Sequence, residues 1–212
     1  MRDRSPAWPL QSIVGLVRRA WRPAAVNRAR AATVEGVLAL PLVGPRVELR
    51  PFTLRDAPAM LAVYGDPEVM RWVGHGPVAT LAEVEAMLSQ YITHQDRYGY
   101  AFWAVVERAS GRVIGDTGLA RTADGKIEMG YTLAREAWGR GLATEAAGLA
   151  LHAALETLQM PAVRALVEPG NLASQHVLTK LGLTPAGEVL AFGRPHLAYE
   201  IRREAPTPGV RG

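Results

Sequence analysis

One short turn constrains the fold of this chain more than any other stretch of its sequence. Residues 138–145 read Trp-Gly-Arg-Gly-Leu-Ala-Thr-Glu, and they follow a strand-like run and open a helix-like run. Gly139 and Gly141 leave the backbone bare at the helix start, where several N–H groups and the helix dipole can converge on one anion. The turn therefore predicts a strand–turn–helix unit that binds a phosphate-bearing ligand.

Two well-known phosphate motifs fit this turn poorly. The phosphate loop requires Gly-x-x-x-x-Gly-Lys-Ser/Thr, and no such run occurs in the sequence. The dinucleotide fingerprint requires Gly-x-Gly-x-x-Gly, but Thr144 stands at the position of the third glycine. A plain tight turn remains the alternative to an anion site, so the sequence on both sides of the turn has to decide between them.

Composition excludes several classes of site. The chain has no cysteine, which rules out disulfides, thiolate metal sites and a cysteine nucleophile, and this suits the cytoplasm. Its five histidines are scattered without a His-x-x-x-His pair, so we predict no metal site. No apolar run approaches the roughly 20 residues that a membrane-spanning helix needs.

The positive charge of the chain is concentrated at its start. Residues 1–45 carry seven arginines against two acidic residues, whereas residues 46–212 carry 17 basic and 18 acidic residues. We expect residues 1–45 to form a basic, disordered extension, residues 46–204 a folded domain, and residues 205–212 a tail. An amphipathic helix over residues 11–21 is the alternative, and either form could bind an anionic partner weakly.

Periodicity and capping signals predict an α/β (α+β) domain. The predicted helices cover residues 56–64, 81–97, 143–158 and 172–181, and Thr80 with Glu83 forms a capping box for the second of them. The predicted strands cover residues 46–50, 100–107, 113–119, 126–133, 163–167, 186–190 and 197–202. This order favours a mixed, mostly antiparallel sheet of seven strands flanked by about four helices.

Four blocks of sequence carry a resemblance to a known family. They are residues 46–51 with Asp56, residues 114–119, residues 128–131 followed by 138–146, and residues 171–183. In this order and spacing they resemble the GCN5-related N-acetyltransferase (GNAT) superfamily, and within it the branch of ribosomal-protein N-terminal acetyltransferases. The resemblance covers about residues 46–202 and implies the fold of that superfamily and binding of acetyl-CoA as cosubstrate.

The resemblance also implies which residues bind the donor. Backbone N–H groups of the turn would hold the pyrophosphate, and they belong to Gly139, Arg140, Gly141, Leu142, Ala143 and Thr144. The Arg140 side chain either adds a phosphate contact or is an exposed loop arginine. Trp138 replaces the usual Gln or Arg of the motif, and we expect it to pack as a hydrophobic anchor.

The strand before the turn would receive the pantetheine arm. The resemblance implies that this strand splays from the strand at residues 163–167, and we place a bulge at Gly130. Tyr131, Thr132 and Leu133 would then present backbone groups to the cofactor, and an N–H near Tyr131 or Thr132 would polarise the thioester carbonyl. Plain core packing is the alternative for Tyr131. Asn171 is expected both to cap the next helix and to bind the pantetheine arm.

The proton carriers are less clearly marked. Many superfamily members use a helix tyrosine as the acid, but Leu178 occupies that position here. We therefore assign hydrogen bonding of the sulfur to Ser174, with a local backbone bond as the alternative. Glu128 is the candidate base, with an exposed strand residue paired to a basic neighbour as its alternative.

These features together predict an acetyl-CoA-dependent N-acetyltransferase acting on a primary amine, either a protein N-terminus or a small molecule. A non-catalytic acyl-CoA-binding module is the alternative, because the tyrosine position is vacant. We also expect a homodimer as a partner state. The acceptor cleft is expected near Trp72, His75, Phe192 and His196.

Overall fold

The structure is a computed structural model, and it describes residues 38–74 and 76–203. Most of the predicted N-terminal extension, the predicted tail at 205–212 and His75 lie outside the described residues. Within them, none of the helices is long and apolar enough to cross a membrane.

Eight strands form one sheet, in the order β1-β2-β3-β4-β5-β6-β8-β7. They are β1 Leu42–Val43, β2 Val47–Arg50, β3 Phe102–Glu107, β4 Arg112–Arg121, β5 Ile127–Leu133, β6 Ala162–Val167, β7 Thr184–Ala191 and β8 Arg194–Arg202. All neighbours pair antiparallel except β5 and β6, which run parallel and share the single residue pair Glu128↔Arg164. The predicted mixed, mostly antiparallel sheet is confirmed, with eight strands in place of seven.

The additional strand is β1. Leu42 pairs with Leu49 and Val43 pairs with Glu48, so two residues add an edge to the sheet ahead of β2. A two-residue strand produces no alternating pattern, which is why the sequence prediction placed this segment in the extension.

Five α-helices flank the sheet in the part of the chain that the structure describes, where about four were predicted. They are α1 Ala57–Tyr64, α2 Pro67–Met70, α3 Leu81–Tyr98, α4 Leu142–His152 and α5 Leu172–Lys180, and a π-helical segment, Ala153–Thr157, extends α4. The additional helix is α2, which Asp66 caps at its N-terminus. Proline is compatible with the first helical position, and the Asp66 carboxylate accepts a hydrogen bond from the Glu68 N–H at 2.9 Å.

Two apolar clusters cover the two faces of the sheet. The larger one packs α4 and α5 against the sheet through residues such as Leu142, Ala146 and Leu178, all at most 1% exposed. The smaller one packs α1, α2 and α3 on the opposite face through residues such as Met60 and Leu88. The junction between β5 and β6, inside the sheet, therefore has different helices on its two faces.

Candidate functional site

The glycine turn adopts the backbone that the sequence predicted. Gly139 has a φ of 68° and Gly141 a φ of 73°, a left-handed conformation that costs a residue with a Cβ roughly 1–2 kcal/mol. Helix α4 begins immediately afterwards at Leu142. The positive end of the α4 dipole and its first N–H groups therefore lie at this turn.

The Arg140 side chain is held away from the centre of the turn. Its Nη2 forms an ion pair with the Glu107 carboxylate, and its Nη1 donates to the Glu136 carbonyl at 3.4 Å. The Arg140 side chain therefore contacts protein acceptors here, and its contact with a phosphate stays a prediction.

A gap opens between β5 and β6 next to the turn. Their single pair, Glu128↔Arg164, lies near the start of both strands, and β5 continues to Leu133. The predicted bulge at Gly130 is wrong, because the β4–β5 register runs unbroken through the pair Gly118↔Gly130. The two strands therefore diverge without a bulge, while β6 pairs along its whole length with β8 on its other edge.

Two hydroxyl groups face each other across this gap. The Tyr131 hydroxyl on β5 lies 2.9 Å from the Ser174 hydroxyl in the first turn of α5. Burial raises the pKa of Tyr131 well above its usual value of 10.0, so the phenol is protonated at neutral pH. The sequence prediction used only the backbone of Tyr131 and did not anticipate this contact, because β5 and α5 are distant in sequence.

Asn171 caps α5 as predicted. Its Oδ1 accepts a hydrogen bond from the Ser174 N–H at 3.1 Å, so the cap also fixes the backbone of Ser174. One side chain thus orients the residue whose hydroxyl meets Tyr131.

The end of β5 is fixed by the tryptophan of the turn. The Trp138 indole N–H donates to the Leu133 carbonyl at 2.8 Å, and the ring remains 48% exposed. Trp138 therefore anchors the turn to the strand by a hydrogen bond, and its half-exposed ring belongs to neither apolar cluster, in contrast to the predicted hydrophobic anchor.

Glu128 lies at the paired end of β5 and β6. Its side chain is 2% exposed and accepts hydrogen bonds from Arg164 Nε at 3.1 Å and Nη2 at 2.9 Å. Tyr131 and Ser174 lie at the open end, so the two candidate catalytic side chains occupy different ends of the gap.

A second buried carboxyl lies on the face covered by α1 and α3. The Tyr64 hydroxyl donates to Asp116, and these residues are 1% and 2% exposed. Burial raises the pKa of Asp116 from its usual 3.8 to about 7. Asp116 pairs with Thr132 in the β4–β5 ladder, which places it one strand away from the gap. No sequence pattern marked this residue.

The loop after α2 closes against the loop before α5. A Cβ placed on Gly170 would lie 2.8 Å from the Trp72 ring, so only glycine allows this approach. Arg194 joins the same two regions, because it donates to the Gly74 carbonyl at 2.6 Å and forms an ion pair with Glu168 at 2.8 Å. Trp72 is thus brought to the residue preceding Asn171.

The two other residues expected at this opening belong to the β7–β8 hairpin. The Phe192 and His196 rings meet edge to face with centroids 6.0 Å apart, and His196 is 4% exposed. His196 Nδ1 lies 3.0 Å from the Arg194 carbonyl. The hairpin therefore contacts the Trp72 loop directly through Arg194. The aromatic pair lies next to Arg194, because His196 contacts its carbonyl group.

Comparisons with known proteins agree with this geometry. The family model described as an acetyltransferase (GNAT) domain matches residues 46–184. An uncharacterized N-acetyltransferase, p20, of Bacillus licheniformis is 29% identical over 145 residues, which cover 67% of this chain and 81% of that protein.

Solved structures share the fold. An acetyltransferase from Agrobacterium tumefaciens has a TM-score of 0.68 and 25% identity, covering 78% of this chain and 96% of that one. A ribosomal-protein-S5-alanine acetyltransferase from Vibrio fischeri has a TM-score of 0.66 and 19% identity, covering 80% and 100%. The chain belongs to the GNAT acetyltransferase family.

Proposed function

We propose that this protein transfers an acetyl group from acetyl-CoA to a primary amine, either a protein N-terminus or a small-molecule amine. The observation that carries the proposal is the hydroxyl pair of Tyr131 and Ser174 across the β5–β6 gap, beside a turn whose N–H groups open a helix. Membership of the GNAT family supports acetyl transfer as the type of reaction.

The donor would bind along the gap and the turn. The diphosphate fits the turn because the N–H groups at the start of a helix suit an anion. We assign it to the backbone of Gly139, Arg140, Gly141, Leu142, Ala143 and Thr144. The pantetheine arm would lie against the backbone of β5 at Tyr131, Thr132 and Leu133. The Asn171 Nδ2 is its proposed donor from α5, since the cap uses only Oδ1.

The reaction would need two proton transfers. The amine nitrogen attacks the thioester carbonyl carbon, so a C–N bond forms, the C–S bond breaks and the amine loses a proton. The leaving sulfur would accept a hydrogen bond from the Ser174 hydroxyl, whose oxygen would accept one from Tyr131 at 2.9 Å, and the proton that the amine loses would reach the thiolate through water. The raised pKa of Tyr131 keeps its hydroxyl protonated, so the phenol can donate to the Ser174 oxygen throughout the reaction. Leu178, which occupies the position of the family's acid, is fully buried.

Glu128 is the proposed acceptor of the amine proton. Its two hydrogen bonds from Arg164 favour the ionised carboxylate, which is the form that a base requires. The same pairing occupies its Oε2, so we assign Glu128 the smaller part of the acceleration. Positioning of the two substrates would supply the remainder.

The experiment that tests the proposal measures free CoA from purified protein, acetyl-CoA and a panel of amines. The panel contains ribosomal-protein N-terminal peptides, polyamines and aminoglycosides, and mass spectrometry identifies the acetylated product. We expect release with one class, and loss of that release in Ser174→Ala. Calorimetric binding of CoA without turnover on the whole panel would instead identify a non-catalytic acyl-CoA-binding module.

A further inference from the structure

The guanidinium of Arg46 binds the carbonyl groups of the glycine turn. Its Nη1 donates to the Arg140 carbonyl at 2.7 Å, and its Nη2 lies 3.4 Å from the Gly141 carbonyl. Arg46 comes just before β2, more than ninety residues before the turn in sequence. A distant segment of the chain therefore holds two successive peptide groups of the turn.

Arg46 is itself held by a buried carboxylate of α4. Glu145 is 5% exposed, and its Oε2 accepts from Arg46 Nε at 2.7 Å. Its Oε1 accepts from the backbone N–H groups of Arg46 at 2.6 Å and Val47 at 3.1 Å. Two hydrogen bonds from Arg46 and one from Val47 thus fix this segment to the first turn of the helix that the glycine turn opens.

These contacts determine the direction of the N–H groups of the turn. In a planar trans peptide the C=O and the following N–H point in opposite directions. Because the carbonyls of Arg140 and Gly141 point toward the guanidinium, the N–H groups of Gly141 and Leu142 point away from it. The Gly141 carbonyl also accepts from the Glu145 N–H at 3.1 Å, which directs the Leu142 N–H out of the helix start.

We propose that Arg46 is a positioning residue for diphosphate binding, which acts by holding the turn carbonyls from behind. This inference rests on the proposed donor site. Arg46 orients the donors without contacting the phosphate, since its guanidinium is on the carbonyl side of the turn. The effect of Arg46 on the affinity for CoA therefore depends on hydrogen-bond geometry. It should be larger than the effect of a nearby cationic side chain that does not bind the turn.

Arg108 provides the matched control. Its Nη1 donates to the carbonyls of Gly44 and Pro45, both at 3.0 Å, so it lies beside Arg46 but binds a different loop. Arg46→Met and Arg108→Met remove the same charge from the same part of the surface. Loss of long-range attraction to the CoA phosphates should affect both variants similarly.

The test is calorimetric binding of CoA to the full chain. We expect Arg46→Met to raise the Kd about tenfold, which corresponds to the loss of one net hydrogen-bond contribution, and Arg108→Met to raise it less than about threefold. Equal increases in the two variants would overturn the proposal, because charge alone would then explain the affinity.

Two further arms separate positioning from folding and from catalysis. Arg46→Lys keeps a cation for Glu145 but cannot bridge both carbonyls, so we expect a folded variant whose CoA Kd is still raised. Where turnover is measured, kcat/KM should fall for acetyl-CoA but not for S-acetylpantetheine, which lacks the diphosphate. An equal fall for both donors would show a general structural defect. The CoA-binding measurements need no acceptor amine. They therefore test the role of Arg46 even if the proposed acetyl transfer is not found.

Discussion

The two sides of the gap between β5 and β6 are built in different ways. On the donor side, a turn with two left-handed glycines presents backbone N–H groups at the start of α4. On the side of α1 to α3, side chains form the boundary: Trp72 packs on Gly170, and Arg194 joins Glu168 to the Gly74 carbonyl. The first side is defined by main-chain conformation and the second by long-range side-chain contacts.

This difference explains why one substrate is easier to identify than the other. A backbone site depends on residues that tolerate a special conformation, and these leave a local sequence pattern. A side-chain site depends on residues from several loops, and contacts between distant loops leave no local pattern in the sequence. The donor is therefore proposed with a definite chemistry, and the acceptor only as a primary amine.

The largest effect is expected at the hydroxyl pair between the two sides. Ser174→Ala should lower kcat about a hundredfold, because the leaving sulfur loses its hydrogen-bond donor, while the KM for acetyl-CoA stays within about twofold. Steady-state kinetics of Ser174→Ala, Tyr131→Phe and the double variant measure this. If the hydroxyls form one relay, the double variant should be no slower than Ser174→Ala; additive losses would separate their roles.

The donor side should depend on the conformation of a single glycine. Gly141→Val should raise the Kd for CoA about thirtyfold, because the free variant relaxes from the left-handed conformation and must regain it on binding. Gly111→Val is the control, since Gly111 has a φ of 68° in the β3–β4 turn. A similar rise in Kd for Gly111→Val would show that the effect is not specific to the glycine turn, which would contradict recognition of the donor by the backbone of that turn.

The carboxyl buried beneath α1 and α3 should make stability depend on pH. The pKa of Asp116 is about 7 in the folded protein and 3.8 ordinarily, so the folded state binds the extra proton between these values. Its contribution to the free energy of unfolding is present below pH 3.8 and is lost as pH rises toward 7, by up to about 1.4 kcal/mol per pH unit.

Denaturant unfolding of the wild type and Asp116→Asn across this pH range measures that contribution. Asparagine keeps the shape and stays neutral, so the variant should gain stability relative to the wild type as pH rises. A constant difference between the two proteins would mean that Asp116 does not titrate in this range.

The smallest effect is expected at the boundary of the acceptor side. Gly170→Ala should displace the Trp72 ring and change the KM for the amine about threefold, while the KM for acetyl-CoA is unchanged. Trp72→Ala should change the amine KM in the same assay. An effect on acetyl-CoA alone would show that this loop serves the donor, through the neighbouring Asn171.

The sequence predicted what depends on local rules. The mixed sheet, the glycine turn, the Asn171 cap and the capping box at Thr80 all follow from patterns within a few residues. It did not predict β1 or α2, because elements of two and four residues are too short to show a period. The bulge at Gly130 was wrong since a glycine permits unusual dihedrals but does not require them.

The contacts that complete the site are distant in sequence. The contact of Tyr131 with Ser174, the clamp of Arg46 on the turn and the approach of Trp72 to Gly170 each join different elements. Only the assembled fold brings these residues together. The Glu145 carboxylate likewise binds Arg46 and Val47, nearly one hundred residues away in sequence.

The sheet consists of two antiparallel blocks, β1 to β5 and β6 to β8, which are joined through the single residue pair of Glu128 and Arg164. A ligand that binds along the open part of β5 would add backbone hydrogen bonds where the pairing with β6 ends. Hydrogen exchange of the amides at 130–133 should then slow when ligand binds, and the melting temperature should rise with ligand concentration. The bound donor would thus extend the hydrogen bonding of the sheet, and the sheet would lose that stabilisation each time the product dissociates.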